Sequence, residues 1–280
     1  MADHHKADPR FVLGVAILAI MFLVAIFAPI IAPHDPYELG IPYLRPSNQH
    51  WLGTNDIGQD IFSELIYGTR VSLLIGVASS IAVTLTGTAL GLLSGYLGGW
   101  VDRVITQVTN VAMAMPSLPL TVVLVAFLSA SIRNIILAIC ITAWTSTARI
   151  IRSRVRQLRE LPFIRMEETM GAGKCYIMLR HLLPNLGDIV FIRAVLSVGS
   201  AMLMEASLSF LGLGVIGQKS WGGILHYAFF RSGVINGAYW WYVPPIVCIS
   251  VSVLGFLLLS YRTGNPNRKP REEEDDHAAD

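Results

Sequence analysis

The chain has 280 residues, of which 53% are hydrophobic and only 14% charged, against about 25% charged in an ordinary soluble domain. That leaves too few charges to coat a water-facing surface, and a formal net charge of +2 gives no field that would recruit nucleic acid or acidic ligands. Three widely separated cysteines, Cys140, Cys175 and Cys248, have neither metal nor redox spacing.

Crossing a hydrocarbon core of about 30 Å takes about 20 apolar residues, and six segments qualify. They are expected at Phe11–Ala32, Val71–Leu97, Val104–Ala130, Asn134–Ile151, Ile189–Leu213 and Trp240–Tyr261. The fold class is therefore all-α, a polytopic membrane helical bundle of about six transmembrane helices over residues 11–261, between a 1–10 amino-terminal segment and a 262–280 charged tail. The first segment lacks a small-x-small cleavage site and is read as a retained span, not a signal peptide. In the second, Gly87, Gly91 and Gly95 recur every four residues on one stripe, the pattern that lets helices approach closely in lipid. In the third, Pro116 and Pro119 remove amide donors and predict a kink or break.

Placing the amino terminus inside puts fifteen of the 21 Lys and Arg residues on that side and five on the other, with Arg193 inside a span. The positive-inside rule then makes both termini cytoplasmic. The largest external connection, 33–70, is rich in Pro, Gly, Asn and Asp and is expected to be an irregular loop capped by a short amphipathic helix. The largest cytoplasmic one is 152–188. There Arg149, Arg152, Arg156 and Arg159 follow at helical spacing and Pro162 ends the piece; a helix is expected over Phe163–Met170, a turn at Gly171 and Gly173, and a second helix over Lys174–Leu183, closed before Pro184. Such a helix-glycine-helix unit, lying across the membrane plane, suits docking into the groove of a soluble partner. The arginines also fit contact with anionic lipid.

Gly171-Ala172 with His-Leu-Leu-Pro at 181–184 resembles the cytoplasmic EAA loop of permease subunits of ATP-binding-cassette importers. The segments HWLGTNDIGQDIFSELIYGTRVSL (50–73), GLLSGYLGGWVDR (91–103), EASLSFLGLGV (205–215) and SWGG (220–223) are similar to the dipeptide, oligopeptide and nickel branch of that family, specifically its C-type permease. The resemblance covers nearly the whole chain. It implies a transport subunit in a bacterial or archaeal cytoplasmic (inner) membrane, partnered by a second homologous permease, by one or two ABC ATPase subunits that hold ATP and Mg, and by an external solute-binding protein. Peptides are the implied cargo, with nickel or a metal chelate as the alternative. It also makes Arg165, Glu167, Glu168, Gly171, Ala172, His181 and Pro184 the ATPase-coupling residues. Where the family usually carries Glu-Ala-Ala, this chain has Arg165, Met166 and Glu167, so the charge at the first position is reversed. The end of the sixth span, FLLLSYRTGNP, lacks the family's usual Gly-Asp.

Nucleotide chemistry is not expected in this chain. Gly171-Ala172-Gly173-Lys174-Cys175 mimics a phosphate loop, but Glu168 occupies the position of its first glycine and Cys175 that of the magnesium-binding Ser or Thr. The spans carry no catalytic constellation, so an enzyme is disfavoured; an ion-coupled secondary transporter is a further alternative, weakened by the scarcity of span carboxylates. Glu205, towards the outer end of the fifth span, is a substrate-path candidate or the partner of an external basic residue. Arg193 is expected to snorkel, and Trp221, Trp240 and Trp241 to form an outer aromatic belt. His34, His50, His181 and His226 are scattered, and no metal site is expected from their spacing.

Overall fold

The computed structural model describes residues 9–263; the tail expected over 262–280 lies almost wholly outside them. Helix α1 (Pro9–Ile26) is followed by a short turn, Ala28–Ile31, and α2 (Ile61–Leu97) by α3 (Gly99–Ala114), α4 (Ser117–Leu128) and α5 (Ile132–Arg159). Next come α6 (Pro162–Thr169) and α7, made of Lys174–Tyr176, Ile177–Leu182 and Leu183–Asn185 in unbroken succession. Helix α8 (Gly187–Leu208) runs on as a π turn over Ser209–Leu213, and α9 (Trp221–Phe230) and α10 (Tyr239–Leu259) complete the bundle. Among the described residues the one β feature is an isolated bridge between Thr54 and Asp60. Five helices are long and apolar enough to cross a membrane, or six when α3 and α4, bent by 91°, count as one broken span.

That bend falls where the prolines predict it. Pro116 stands at the N-cap of α4 with extended backbone. Pro119 sits in the first turn, where a missing amide costs nothing because that amide has no intrahelical partner. The corner between α2 and α3 is turned by Gly98 and Gly99, both at positive φ (65° and 53°), which only glycine adopts without strain.

Helix α2 is the central rod. Its 37 residues measure about 55 Å, about 25 Å more than the hydrocarbon core. It starts at Ile61, so residues 61–70 are the first turns of the rod and not a separate amphipathic helix. Asp60 starts it, its Oδ2 accepting from Ser63 N at 2.8 Å and Ser63 Oγ at 2.7 Å, a side-chain cap for the orphan amides. The glycine stripe faces α5. A Cβ at Gly87 would lie 2.7 Å from Thr147 Cβ, one at Gly91 2.7 Å from the Ala148 carbonyl oxygen, and one at Gly95 2.7 Å from Val155 Cβ. On another face Gly76 meets Met202 of α8, where a Cβ would fall 2.4 Å from Cγ. Helices α1 and α10 pair through Gly14 and Gly255 in the same way.

One expectation fails on burial. Trp221 and Trp241 are 1% and 0% exposed, and Trp240 is buried beside them, so they form core rather than a lipid-facing belt. Trp221 is fixed there by donating Nε1–H to the Leu65 carbonyl at 3.1 Å. Arg193 donates to Ser146 Oγ at 2.9 Å, on the neighbouring α5.

Candidate functional site

At the basic end of the bundle, α6 and α7 form one rigid loop. Helix α6 ends in paired capping bonds, from Gly171 N to the Glu168 carbonyl at 3.2 Å and from Ala172 N to the Glu167 carbonyl at 3.1 Å. That is a Schellman motif, and it needs a left-handed residue at the turn. Gly171 supplies it with φ 82°, although nothing lies within 4 Å of where its Cβ would be. Ile164, Ile177 and Leu182 are fully buried, packed with Leu92 and Tyr96 of α2 and Ile151 and Val155 of α5. The opposite side of α6 faces outward, with Met166 63% and Met170 78% exposed.

The loop brings some of the residues singled out in the sequence together. His181 Nε2 stands 3.5 Å from Glu167 Oε1, an ion-pair distance, and its ring meets Tyr176 edge-on. Ala172 packs on the buried cluster beneath. Arg165 turns back to pair with the exposed Glu160, so the reversed charge is matched within the chain. Glu168 lends its carbonyl to the turn at Gly171. Pro184 does not close α7. The helix passes through it to Asn185, because the π turn over Ile177–Leu182 widens the backbone before a residue that has no amide to give.

Beside the loop is a clamp that the sequence reading missed. Asp102 of α3 accepts from Arg152 Nε at 2.5 Å and Nη2 at 2.8 Å, from Arg156 Nη2 at 2.5 Å and from Ser94 Oγ at 2.5 Å. The two-pronged Arg152 contact fixes direction as well as distance, and it ties α3 to α5 just where α5 leaves the bundle.

At the other end, a buried polar cluster joins the 33–60 segment, α2 and the segment before α9. Lys219 Nζ donates to Glu64 Oε1 at 2.5 Å and to Gln59 Oε1 at 2.6 Å, and Asn55 Nδ2 donates to the same two oxygens at 3.2 and 3.1 Å. The second Glu64 oxygen is buried without a hydrogen-bond partner. This cluster edges a cavity of about 340 Å³ whose lining includes Asn55, Gln59, Lys219, Ser209 and Ser220. Glu205 lies behind that wall, 1% exposed, accepting from Ser209 Oγ at 2.7 Å and Ser72 Oγ at 3.2 Å. It is held by the hydroxyls of Ser209 and Ser72, while Lys219 pairs with Glu64. The SWGG segment makes the junction close: Ser220 caps α9 through Gly223 N at 3.1 Å, and a Cβ on Gly222 would fall 2.5 Å from the Ala206 carbonyl oxygen.

A bundle of apolar helices, one of them broken, with a fixed loop standing off its basic end defines a multi-pass integral membrane component. The chain belongs to the family of binding-protein-dependent transport system inner membrane components, whose profile matches residues 87–264. The profile for the N-terminal transmembrane domain of oligopeptide transport permease C matches residues 6–52. The chain is 36% identical to the dipeptide transport system permease protein of Alkalihalophilus pseudofirmus, over 91% of this chain and 84% of that one. It is 35% identical to the probable D,D-dipeptide transport system permease protein of Escherichia coli, over 90% and 85%. With the oligopeptide transport system permease protein of Bacillus subtilis it shares 35% identity, over 78% and 72%. Among solved structures, a chain from inward-facing conformations of the MetNI methionine ABC transporter superposes with a TM-score of 0.53 at 19% identity, covering 71% of this chain and 96% of that one; that likeness concerns the fold. The recognised family and the all-α class are both borne out, and the place of the chain is the inner membrane. The named relatives are permease subunits, in keeping with a transport role and not a catalytic one.

Proposed function

We propose that the chain is the C-type permease subunit of an ATP-driven importer of dipeptides or oligopeptides. It would form the translocation path with a second homologous permease and receive cargo from an external solute-binding protein. ATP and Mg would be held by one or two separate ATPase subunits, and both termini of this chain would face the cytoplasm. The observation that carries this reading is the two-sided loop over 162–185. One side, through Ile164, Ile177 and Leu182, is locked onto the ends of α2 and α5, while the other presents Met166 and Met170 to solvent. A soluble subunit that grips the exposed side therefore moves α2 and α5 directly, as a rigid-body switch requires. Glu167, Glu168, Gly171, Ala172 and His181 shape or line the loop, and Arg165 pairs with Glu160 on its exposed surface. The glycine seam at Gly87, Gly91 and Gly95 lets the two helices move as a packed pair.

Peptide is favoured over nickel because the relatives at 35–36% identity are named for dipeptides and oligopeptides. Membership of a binding-protein-dependent family favours ATP over an ion gradient as the driving force. Glu205, behind the polar wall of the cavity, is the residue of this chain assigned to the path. The test is purification of the chain, tagged at its carboxy terminus, from native membranes in mild detergent. Recovery of a second permease and ABC ATPase subunits is expected; recovery of the chain alone, or as a homo-oligomer, would overturn the reading.

A further inference from the structure

We infer that His34, His50 and Asp60 form a site for a divalent transition-metal ion, with zinc, cobalt or nickel as the chemical class. The three residues come from the segment after α1 and from the cap of α2, far enough apart in sequence that no metal-site spacing is visible. In the folded chain one ligand atom from each lies within 4.8 Å of the other two. His50 Nδ1 is 2.9 Å from Asp60 Oδ1, and the His34 and His50 ring centroids are 4.8 Å apart.

The supporting contacts resemble the outer layer of a metal site more than a chance meeting of side chains. Asp60 has one oxygen, Oδ2, fully engaged by Ser63 N and Ser63 Oγ at 2.8 and 2.7 Å, and the other, Oδ1, accepts from His50 Nδ1–H, a proton that a metal would displace to solvent on taking both atoms as ligands. His34 donates Nε2–H to the Gln49 carbonyl at 2.9 Å. A carbonyl partner of this kind sets the orientation and tautomer of metal-binding imidazoles and leaves the lone pair on the other nitrogen. The backbone amide of His34 also donates to Ser63 Oγ at 3.2 Å, so one buried serine positions both the carboxylate and a histidine. Imidazole with carboxylate suits zinc, nickel and cobalt over magnesium or calcium. With metal–ligand bonds of about 2.0–2.1 Å, tetrahedral ligand atoms stand about 3.3 Å apart. The widest pair must therefore close by roughly 1.5 Å, a side-chain movement open to two half-buried histidines. Three protein ligands leave at least one coordination position open. Occupancy would staple the segment at His34 and the turn at His50 to the first turn of α2.

The experiment uses the full chain in its native assembly, carrying a tag free of histidine and His4→Ala/His5→Ala to silence the amino-terminal pair. Zinc is titrated calorimetrically into the parent, His34→Ala, His50→Gln and, as a control, His226→Ala. One zinc per chain is expected for the parent and the control, with affinity lower by about tenfold or more in each of the other two. Cobalt absorption of the unmutated chain should show histidine nitrogen ligation, a readout independent of any variant that folds poorly. Failure to bind zinc up to about 1 mM, unchanged affinity in both histidine variants, or a cobalt spectrum indistinguishable from the hydrated ion would overturn the site. None of these outcomes bears on the ATPase docking reading, since the residues lie at the opposite end of α2.

Discussion

Gly171 and Gly173 offer an unusually clean comparison, because neither would meet another atom within 4 Å if given a Cβ. They differ in backbone. Gly171 has φ 82°, whereas Gly173 has φ −65° and ψ 142°, a region open to any residue. Gly171→Ala therefore meets no crowding but carries the left-handed penalty of about 1–2 kcal/mol, which shifts the balance between the capped turn and its alternatives by about 5–30-fold. Gly173→Ala should cost no more than about 0.5 kcal/mol. The assay is uptake of a labelled dipeptide by cells producing each variant, normalised to membrane-inserted protein by immunoblot. Uptake is expected to fall several-fold for Gly171→Ala, further for the bulky Gly171→Val, and to stay near the parent for Gly173→Ala. Equal loss in the two alanine variants, or parent-level uptake in both Gly171 variants, would refute a role for the Schellman turn in coupling.

Three further outcomes follow from the packing and the polar clusters. Gly91→Val places a Cβ 2.7 Å from the Ala148 carbonyl oxygen and 2.8 Å from Ile151 Cβ; overpacking of about 1–3 kcal/mol should lower the Tm in detergent, and an unchanged Tm would mean the α2–α5 seam can open without cost. Lys219→Met strands the buried Glu64 carboxylate at a cost of about 3–5 kcal/mol, while Lys219→Met with Glu64→Leu should recover most of the lost Tm; a double variant less stable than the single one would refute the pairing. Glu205→Gln is expected to lower peptide uptake without loss of membrane insertion, and an unchanged rate would leave the carboxylate as an acceptor for Ser72 and Ser209 alone.

The features legible in the sequence are those set by neighbours along the chain. Apolar length gave the long helices, Pro116 gave the break before α4, and Gly171 gave the corner of the loop, each through a local backbone rule. What was missed depends on partners brought together only by folding. Asp102 and Arg152 are 50 residues apart and Glu64 and Lys219 are 155 apart, so nothing in spacing links them, and the basic residues read as topology signals or as partners for Glu205. The tryptophans misled because position near a span end does not say which way a side chain points; Trp221 and Trp241 turn inward. Pro184 misled because the helix-stop rule assumes an α-helical i−4 bond, which the preceding π turn does not make. His34, His50 and Asp60 looked scattered for the same reason as the ion pairs: the turn that joins them is tertiary.

The continuity of α2 has a mechanical consequence. Over its last turns Gly87, Gly91 and Gly95 seat it on α5 while Leu92 and Tyr96 pack into the loop, and its far end carries the Glu64–Lys219 pair. Loop and seam thus hold the same stretch of helix, as a handle is held at one end of an unbroken beam. Thirty residues separate Gly91 from Ile61, so a tilt of about 10° of the held end, with α5 moving alongside, would swing the far end by about 8 Å at 1.5 Å per residue. A small rotation at the loop end would thus be returned at the Glu64–Lys219 end as a displacement of several ångströms, without the helix having to bend.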